Sequence, residues 1–429
     1  MDLLFIVLYI FSGASSVIIT KNSFKTLRNP ISIFCILWTI IGVGANLKLY
    51  NYYSPSTLVN SCVLSSIWIL CILNLVFKSN IRYRSALDNK FFNAYFNYKL
   101  FILINIACIV FTLPKVISAF YILVSNGFAY LRASSSDINT GVYVAGWEAA
   151  MFSSIIRPIF LTSVICSVVI YFSNLNYYIK RNCFIISIID TILLVILTAG
   201  RGHIVNFTFY LIIASVIFNG KNLFHMIFHN KKIVVMVLML FMGISYVTIM
   251  RDSVNDSVRF FDNLYVYYFS GPSYMSQLLE YETRYGINGD KLYGTATFGF
   301  ISNWCSSISM LLFGGQRGSL WLMGSQITNK QYWVGEHTYI NAMCTAFYTF
   351  IIDWGLIGII IGSSIIYIVS VILMNFMEKN RSIASYSIMV YWIYVLIRTV
   401  FKWDLIELDF SVFLFLIYLY TKKFKLIIR

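Results

Sequence analysis

Eight arginines stand apart from the lysine-rich loops of this chain: Arg132, Arg157, Arg201, Arg251, Arg259, Arg284, Arg317 and Arg398. A guanidinium offers a rigid fork of donors that meets phosphate or carboxylate oxygens in pairs, whereas an ammonium acts as a point charge. In the same regions arginines outnumber lysines (Lys48, Lys115, Lys291, Lys330, Lys402) eight to five, while lysine dominates the remaining loops. That bias suits anionic ligand groups at a membrane interface. The competing reading is that each arginine snorkels to headgroups or pairs with an acid.

Two local sequences add acid–base chemistry. Thr198-Ala199-Gly200-Arg201-Gly202-His203 reads as a turn between two apolar runs, with glycines that allow a tight bend and close approach of a ligand. Gly335-Glu336-His337-Thr338-Tyr339-Ile340-Asn341 precedes Asp353-Trp354-Gly355-Leu356-Ile357-Gly358. His337 can accept a proton near neutral pH, and Glu336 is the alternative base. Asp353, at the mouth of an apolar run, needs a partner, and an arginine is the expected one. Asp190, within another run, is expected to bond inside a helix bundle.

The elements that must position these groups are membrane helices. Hydrophobic residues make up 59% of the 429, with mean hydropathy +0.76. Apolar runs near 3–19, 31–49, 56–77, 100–124, 151–172, 184–199, 203–218, 233–250, 355–374, 386–400 and 410–421 give about eleven spans. They are continuously apolar rather than alternating, which points to helices and excludes a β-barrel. The intervening loops divide by charge. One side holds 19 of the 32 basic residues against only Asp88 and Glu378, so it is predicted to be cytoplasmic. The opposite side has short turns near 50–55, 200–202 and 401–409, a loop near 125–150 and one long segment near 251–343. A connector of that length is predicted to fold as a cap of short helices, and 302–324 is apolar enough to dip into the bilayer. The expected division is an N-terminal bundle (1–250), the cap (251–343) and C-terminal helices (344–429).

Several classes of function are excluded at this level. The net charge of +15 is accounted for by basic loops facing anionic lipid, with no need of nucleic acid. The eight cysteines contain no CxxC pair, so neither a disulfide framework nor a zinc site is expected. There is no phosphate-binding GxxxxGK[ST] loop, no dinucleotide fingerprint and no DxD pair. The N-terminus lacks a basic leader and a cleavage site, so the first run is read as a retained span. Catalytic groups outside with no nucleotide site inside imply a lipid-linked activated substrate.

These features resemble the O-antigen polymerases (Wzy), bacterial membrane glycosyltransferases of lipopolysaccharide biosynthesis. The likeness rests on Gly200-Arg201-Gly202 after an apolar run, the long external segment, and Asn341 followed by Asp353-Trp354-Gly355-Leu356-Ile357-Gly358 opening a late run. The order His337, Asn341, Asp353-x-Gly355 is also similar to the O-antigen ligases, although its spacing is longer than in a typical ligase. The resemblance implies an all-α, GT-C-like bundle in the bacterial inner membrane with its site facing the periplasm. It implies transfer of a growing glycan from undecaprenyl diphosphate to a lipid-linked repeat unit, without metal, cofactor or nucleotide. Arg201, Arg251 and Arg317 are then the first candidates to hold the diphosphate, followed by Arg132, Arg157 and Arg398. His337 or Glu336 would be the base, and Asp353 would hold an arginine or the loop. The implied partners are the lipid-linked donor and acceptor, membrane lipids, a chain-length regulator and a flippase. The alternatives are an O-antigen ligase using the same donor and a lipid-linked oligosaccharide flippase. A flippase should carry charges deep in both halves, and here they cluster at one face.

Overall fold

The computed structural model describes residues 2–77, 95–134, 142–143, 146–200, 202–219, 265–282, 287, 289–313, 330–336, 338–341 and 344–422. The architecture is all-α apart from one two-stranded ribbon among the described residues. Six helices are long and apolar enough to cross a membrane. Four shorter apolar helices, Pro30–Asn46, Gly202–Phe218, Ile383–Arg398 and Asp409–Thr421, coincide with further expected spans. The expected span 233–250 lies outside the described residues.

By contacts the chain forms two units, each assembled from segments distant in sequence. The first comprises Met1–Tyr83, Asp256–Asn375 and Val395–Leu408. Its helices begin with α1 (Asp2–Phe24), α2 (Pro30–Asn46) and α3 (Thr57–Val76). Asn29 starts α2 by accepting from Ser32 N at 2.8 Å, with Pro30 in the first turn. Ser56 caps α3 in the same way. The second unit contains α4 (Tyr98–Ser134), α5 (Gly146–Met151), α6 (Arg157–Phe172), α7 (Tyr177–Thr198) and α8 (Gly202–Asn219). A π-helical turn, Phe152–Ile156, joins α5 to α6 just before Pro158, which cannot donate to the ladder.

The described part of 251–343 carries α9 (Gly271–Tyr281), α10 (Gly299–Phe313) and the ribbon β1 (Gln331–Trp333) and β2 (Tyr339–Asn341). The strands are antiparallel, with Trp333 opposite Tyr339. The cap is therefore not made of short helices alone. Of the apolar stretch 302–324, residues through Phe313 continue α10 and the remainder is outside the described residues. The chain then forms α11 (Thr345–Trp354), α12 (Ile357–Asn380), α13 (Ile383–Arg398) and α14 (Asp409–Thr421).

Packing explains why these helices hold together without many charges. In the first unit Trp38, Phe34, Phe347 and Phe350 are buried, and the Trp38 and Phe347 rings lie 4.6 Å apart. Asn46 and Asn60 exchange side-chain amide bonds at 3.0 and 3.2 Å, and Tyr9 Oη donates to Asn60 at 3.1 Å. Closing such a buried network leaves no amide unpaired, each bond contributing about 1 kcal/mol net. In the second unit Tyr391 stacks on Phe413 at 4.5 Å, and Tyr210 meets Tyr394 at the same distance. Large apolar side chains instead face outward along α1 (Leu3, Val7, Phe11), α4 (Leu103, Val110, Ile117) and α12 (Ile360, Ile368, Ile372). Exposed apolar stripes of that extent on long helices are surfaces for lipid.

Candidate functional site

At one end of the first unit, the segments that the sequence places on the outer side come together. The turn after α2 is built from three residues in the left-handed region, Lys48, Tyr50 and Asn51, at φ 53°, 57° and 60°. Non-glycine residues occupy that region only when their surroundings hold them there. The β1–β2 turn does so. Tyr53 N donates to Val334 O at 2.8 Å, Glu336 N donates to Asn51 O at 3.2 Å, and Asn51 Nδ2 donates to Glu336 Oε2 at 3.1 Å. Thr338 Oγ1 donates to Tyr52 Oη at 3.1 Å. Gly335 is required here, because a Cβ would stand 2.9 Å from Asn51 O.

The result is an open pocket of about 340 Å³ lined by Lys48, Asn51, Tyr52, Tyr53, Ser54 and Glu336. It combines one cation, one carboxylate, an amide and two phenols. Lys48 Nζ also lies 2.5 Å from Asp2 Oδ2, an exposed pair that orients it. Glu336, the alternative base, thus has a defined partner in Asn51. His337, the other candidate, lies outside the described residues.

Asp353 is fully buried at the C-terminal end of α11. Its partner is not an arginine. Oδ1 accepts from Ala296 N at 3.1 Å, and Oδ2 accepts from Thr297 N and Thr297 Oγ1, both at 2.6 Å. Backbone amides are fixed dipoles and satisfy a carboxylate without the desolvation cost of a second buried charge. The bond from Trp403 Nε1 to Thr297 O at 2.8 Å ties the same loop to the segment after α13. The glycine spacing within this stretch of sequence then has a local meaning: Gly355 turns with φ 66°, and a Cβ on Gly358 would overlap Phe350 O at 1.9 Å.

The remaining candidates separate. Arg398 Nε lies 3.1 Å from Asp404 Oδ2, and Lys402 Nζ lies 3.6 Å from Asp404 Oδ1 and 2.6 Å from Glu407 Oε1. Burial pulls the Lys402 ammonium down, but Glu407 and Asp404 outweigh it and hold its pKa above the usual lysine value. Arg157, in the second unit, directs Nη2 at both oxygens of Asp409 at 3.0 Å. Both of these arginines are therefore engaged by aspartates. Arg132 lies on α4, with its side chain outside the described residues. Arg201, Arg251 and Arg317 are also outside them, as are Arg259 and Arg284. In the Gly200–Gly202 turn the left-handed residue is Ala199, at φ 45°, rather than either glycine.

Lys48, Asn51 and Thr297 were not singled out by sequence. The polar, aromatic run Tyr50-Asn51-Tyr52-Tyr53-Ser54 marked a turn but gave no sign of what would dock on it. Among the described residues no group of three or more His, Cys, Asp and Glu is placed to hold a metal ion. No protein-family model, curated protein or solved structure matches the chain.

Proposed function

We propose that this chain is an O-antigen polymerase. In this reading about eleven helices span the bacterial inner membrane in a GT-C-like arrangement, and the end of the first unit bearing Lys48, Glu336 and Asp353 faces the periplasm. The donor is a glycan on undecaprenyl diphosphate. The acceptor is the terminal hydroxyl of a lipid-linked repeat unit. A base removes the acceptor proton as the new glycosidic bond forms, and the bond from the donor sugar to diphosphate breaks. Cations offset the charge that develops on the leaving diphosphate.

The observation that carries the reading is the docking of the Gly335-Glu336 turn onto Asn51 and Tyr53, which leaves a carboxylate, Glu336, and a cation, Lys48, lining one open pocket. Glu336 or the adjacent His337 is the base. Asp353 acts as a positioning residue through the loop that it holds. Arg201, Arg251 and Arg317 remain the proposed diphosphate ligands.

The test is polymerisation by the purified full-length protein in lipid nanodiscs, supplied with the host's own lipid-linked repeat units. A ladder of longer lipid-linked glycans supports the proposal. Transfer to lipid A–core with no ladder would make the protein a ligase, and movement of the substrate across the bilayer without transfer would make it a flippase.

A further inference from the structure

We propose that Asp190 is the charge centre of a buried site for one small monovalent cation, H⁺ or Na⁺, inside the second unit. The site is separate from the proposed transfer chemistry and does not depend on it.

Asp190 lies in the middle of α7 and is completely buried. Neither carboxylate oxygen has a hydrogen-bond partner, and the Ser163 hydroxyl of α6 faces it short of hydrogen-bond geometry. The register of the helices brings further oxygens to the same depth. Asn182 Nδ2 donates to Tyr98 Oη at 2.8 Å, aligning α7 with α4. From that contact Asp190 and Asn105 lie about 12 and 10 Å along their helices, at 1.5 Å per residue. Ser167 Oγ donates to Cys183 O at 2.8 Å, and α6 runs antiparallel to α7, so Ser163 comes within about one turn of that level. Asn105 spends its amide on Phe101 O at 2.7 Å, leaving Oδ1 without a partner. The hydroxyls of Ser163 and Tyr420 also have none.

The charge balance selects the ligand. No described cation acts on Asp190; the titratable groups around it are Cys108 on α4, Tyr420 on α14 and, beside Tyr420, Cys166 on α6. A carboxylate in a helix bundle without a counter-charge is prohibitively costly, and such residues in membrane segments mark ion or proton sites. One carboxylate neutralises one positive charge. Neutral hydroxyl and amide oxygens suit a hard ion rather than a soft metal. A bound proton and a sodium ion satisfy the same chemistry.

The experiment uses the full-length protein in nanodiscs. The unfolding midpoint is followed from about 1 to 100 mM NaCl against N-methylglucamine chloride at constant ionic strength, where a bound ion raises it by about 3 °C. Infrared spectra are recorded in parallel for the carbonyl band of a protonated acid. The proposal expects either a sodium-dependent midpoint or an acid band, and in each case its loss in Asp190→Asn. Ser163→Ala serves if Asp190→Asn does not fold. It should raise the sodium concentration needed by about tenfold or shift the acid band. A midpoint indifferent to sodium together with no acid band would overturn the proposal, as would either signal persisting unchanged in both variants.

Discussion

Thr297 offers both its amide and its hydroxyl to one oxygen of Asp353, each at 2.6 Å. With the third bond from Ala296 N, a buried carboxylate on α11 organises a loop more than fifty residues earlier in the chain. Removing the carboxylate leaves two buried amides and a hydroxyl unpaired. Asp353→Ala should destabilise the first unit by roughly 3–5 kcal/mol. Asp353→Asn, which places one donor against donors, should cost less but still shorten the polymer. Thermal unfolding in nanodiscs and glycan length on gels measure the two effects, and a stable Asp353→Ala protein with wild-type polymer would remove the positioning role.

Gly335 should not accept even a methyl group. The approach of 2.9 Å to Asn51 O is backbone to backbone and cannot be relieved by a side-chain rotation. Gly335→Ala should therefore separate the β1–β2 turn from the 48–54 turn, at a cost of about 1–3 kcal/mol. The checkable consequence is proteolysis or cysteine labelling of this turn at rates above wild type, with a matching loss of transfer.

For Arg157 the pairing with Asp409 and a role in binding diphosphate make different predictions. If the guanidinium serves only to hold Asp409, Arg157→Ala and Asp409→Ala should each destabilise the second unit, and the double variant should cost about as much as either alone. If it also binds substrate, Arg157→Ala should reduce transfer at least about tenfold more than Asp409→Ala does. Equal activities for the two single variants would leave Arg157 a structural residue.

Within the cluster after α13, the Lys402 ammonium should contribute its pH dependence on the alkaline side. Lys402 is held above the usual lysine value by Glu407 and Asp404, so its contribution is complete below the unfolded-state pKa of about 10.4 and fades as pH rises through the folded value. From pH 6 to 9 the pair should add no slope to stability. Lys402→Met should flatten the decline above about pH 10. A wild-type slope in the neutral range that Lys402→Met abolishes would show that the ammonium titrates lower than its two acids allow.

Orientation is open to a direct test. The 19 bases and two acids of the assigned inner loops predict cytoplasmic signals from reporter fusions after residues 88, 225 and 380 and periplasmic signals near 137 and 290. A cytoplasmic signal at 290 would put the Glu336 pocket against the wrong leaflet and end the polymerase reading.

The sequence by itself determined the class of this protein. Hydropathy placed apolar segments where ten of the expected spans have described helices, because the length of an apolar run and the absence of charge within it are local quantities. It also grouped the turns near 50–55 and 401–409 with the long loop, through charge alone. It could not give partners. Asp353 was read as needing an arginine because sequence shows side chains and hides backbone amides, and in the fold the amides of 296–297 serve that purpose. Glu336 was a candidate by type, but its place beside Lys48 and Asn51 depends on strand pairing across nearly three hundred residues. Arg157 and Arg398 looked like spare cations until folding brought Asp409 and Asp404 to them. Asp190 was expected to bond within the bundle, yet neither of its oxygens has a hydrogen-bond partner, and the hydroxyl and amide oxygens brought to its depth are unpaired as well. What only tertiary structure decided is which distant groups satisfy each buried charge, since that depends on helix register and not on local composition.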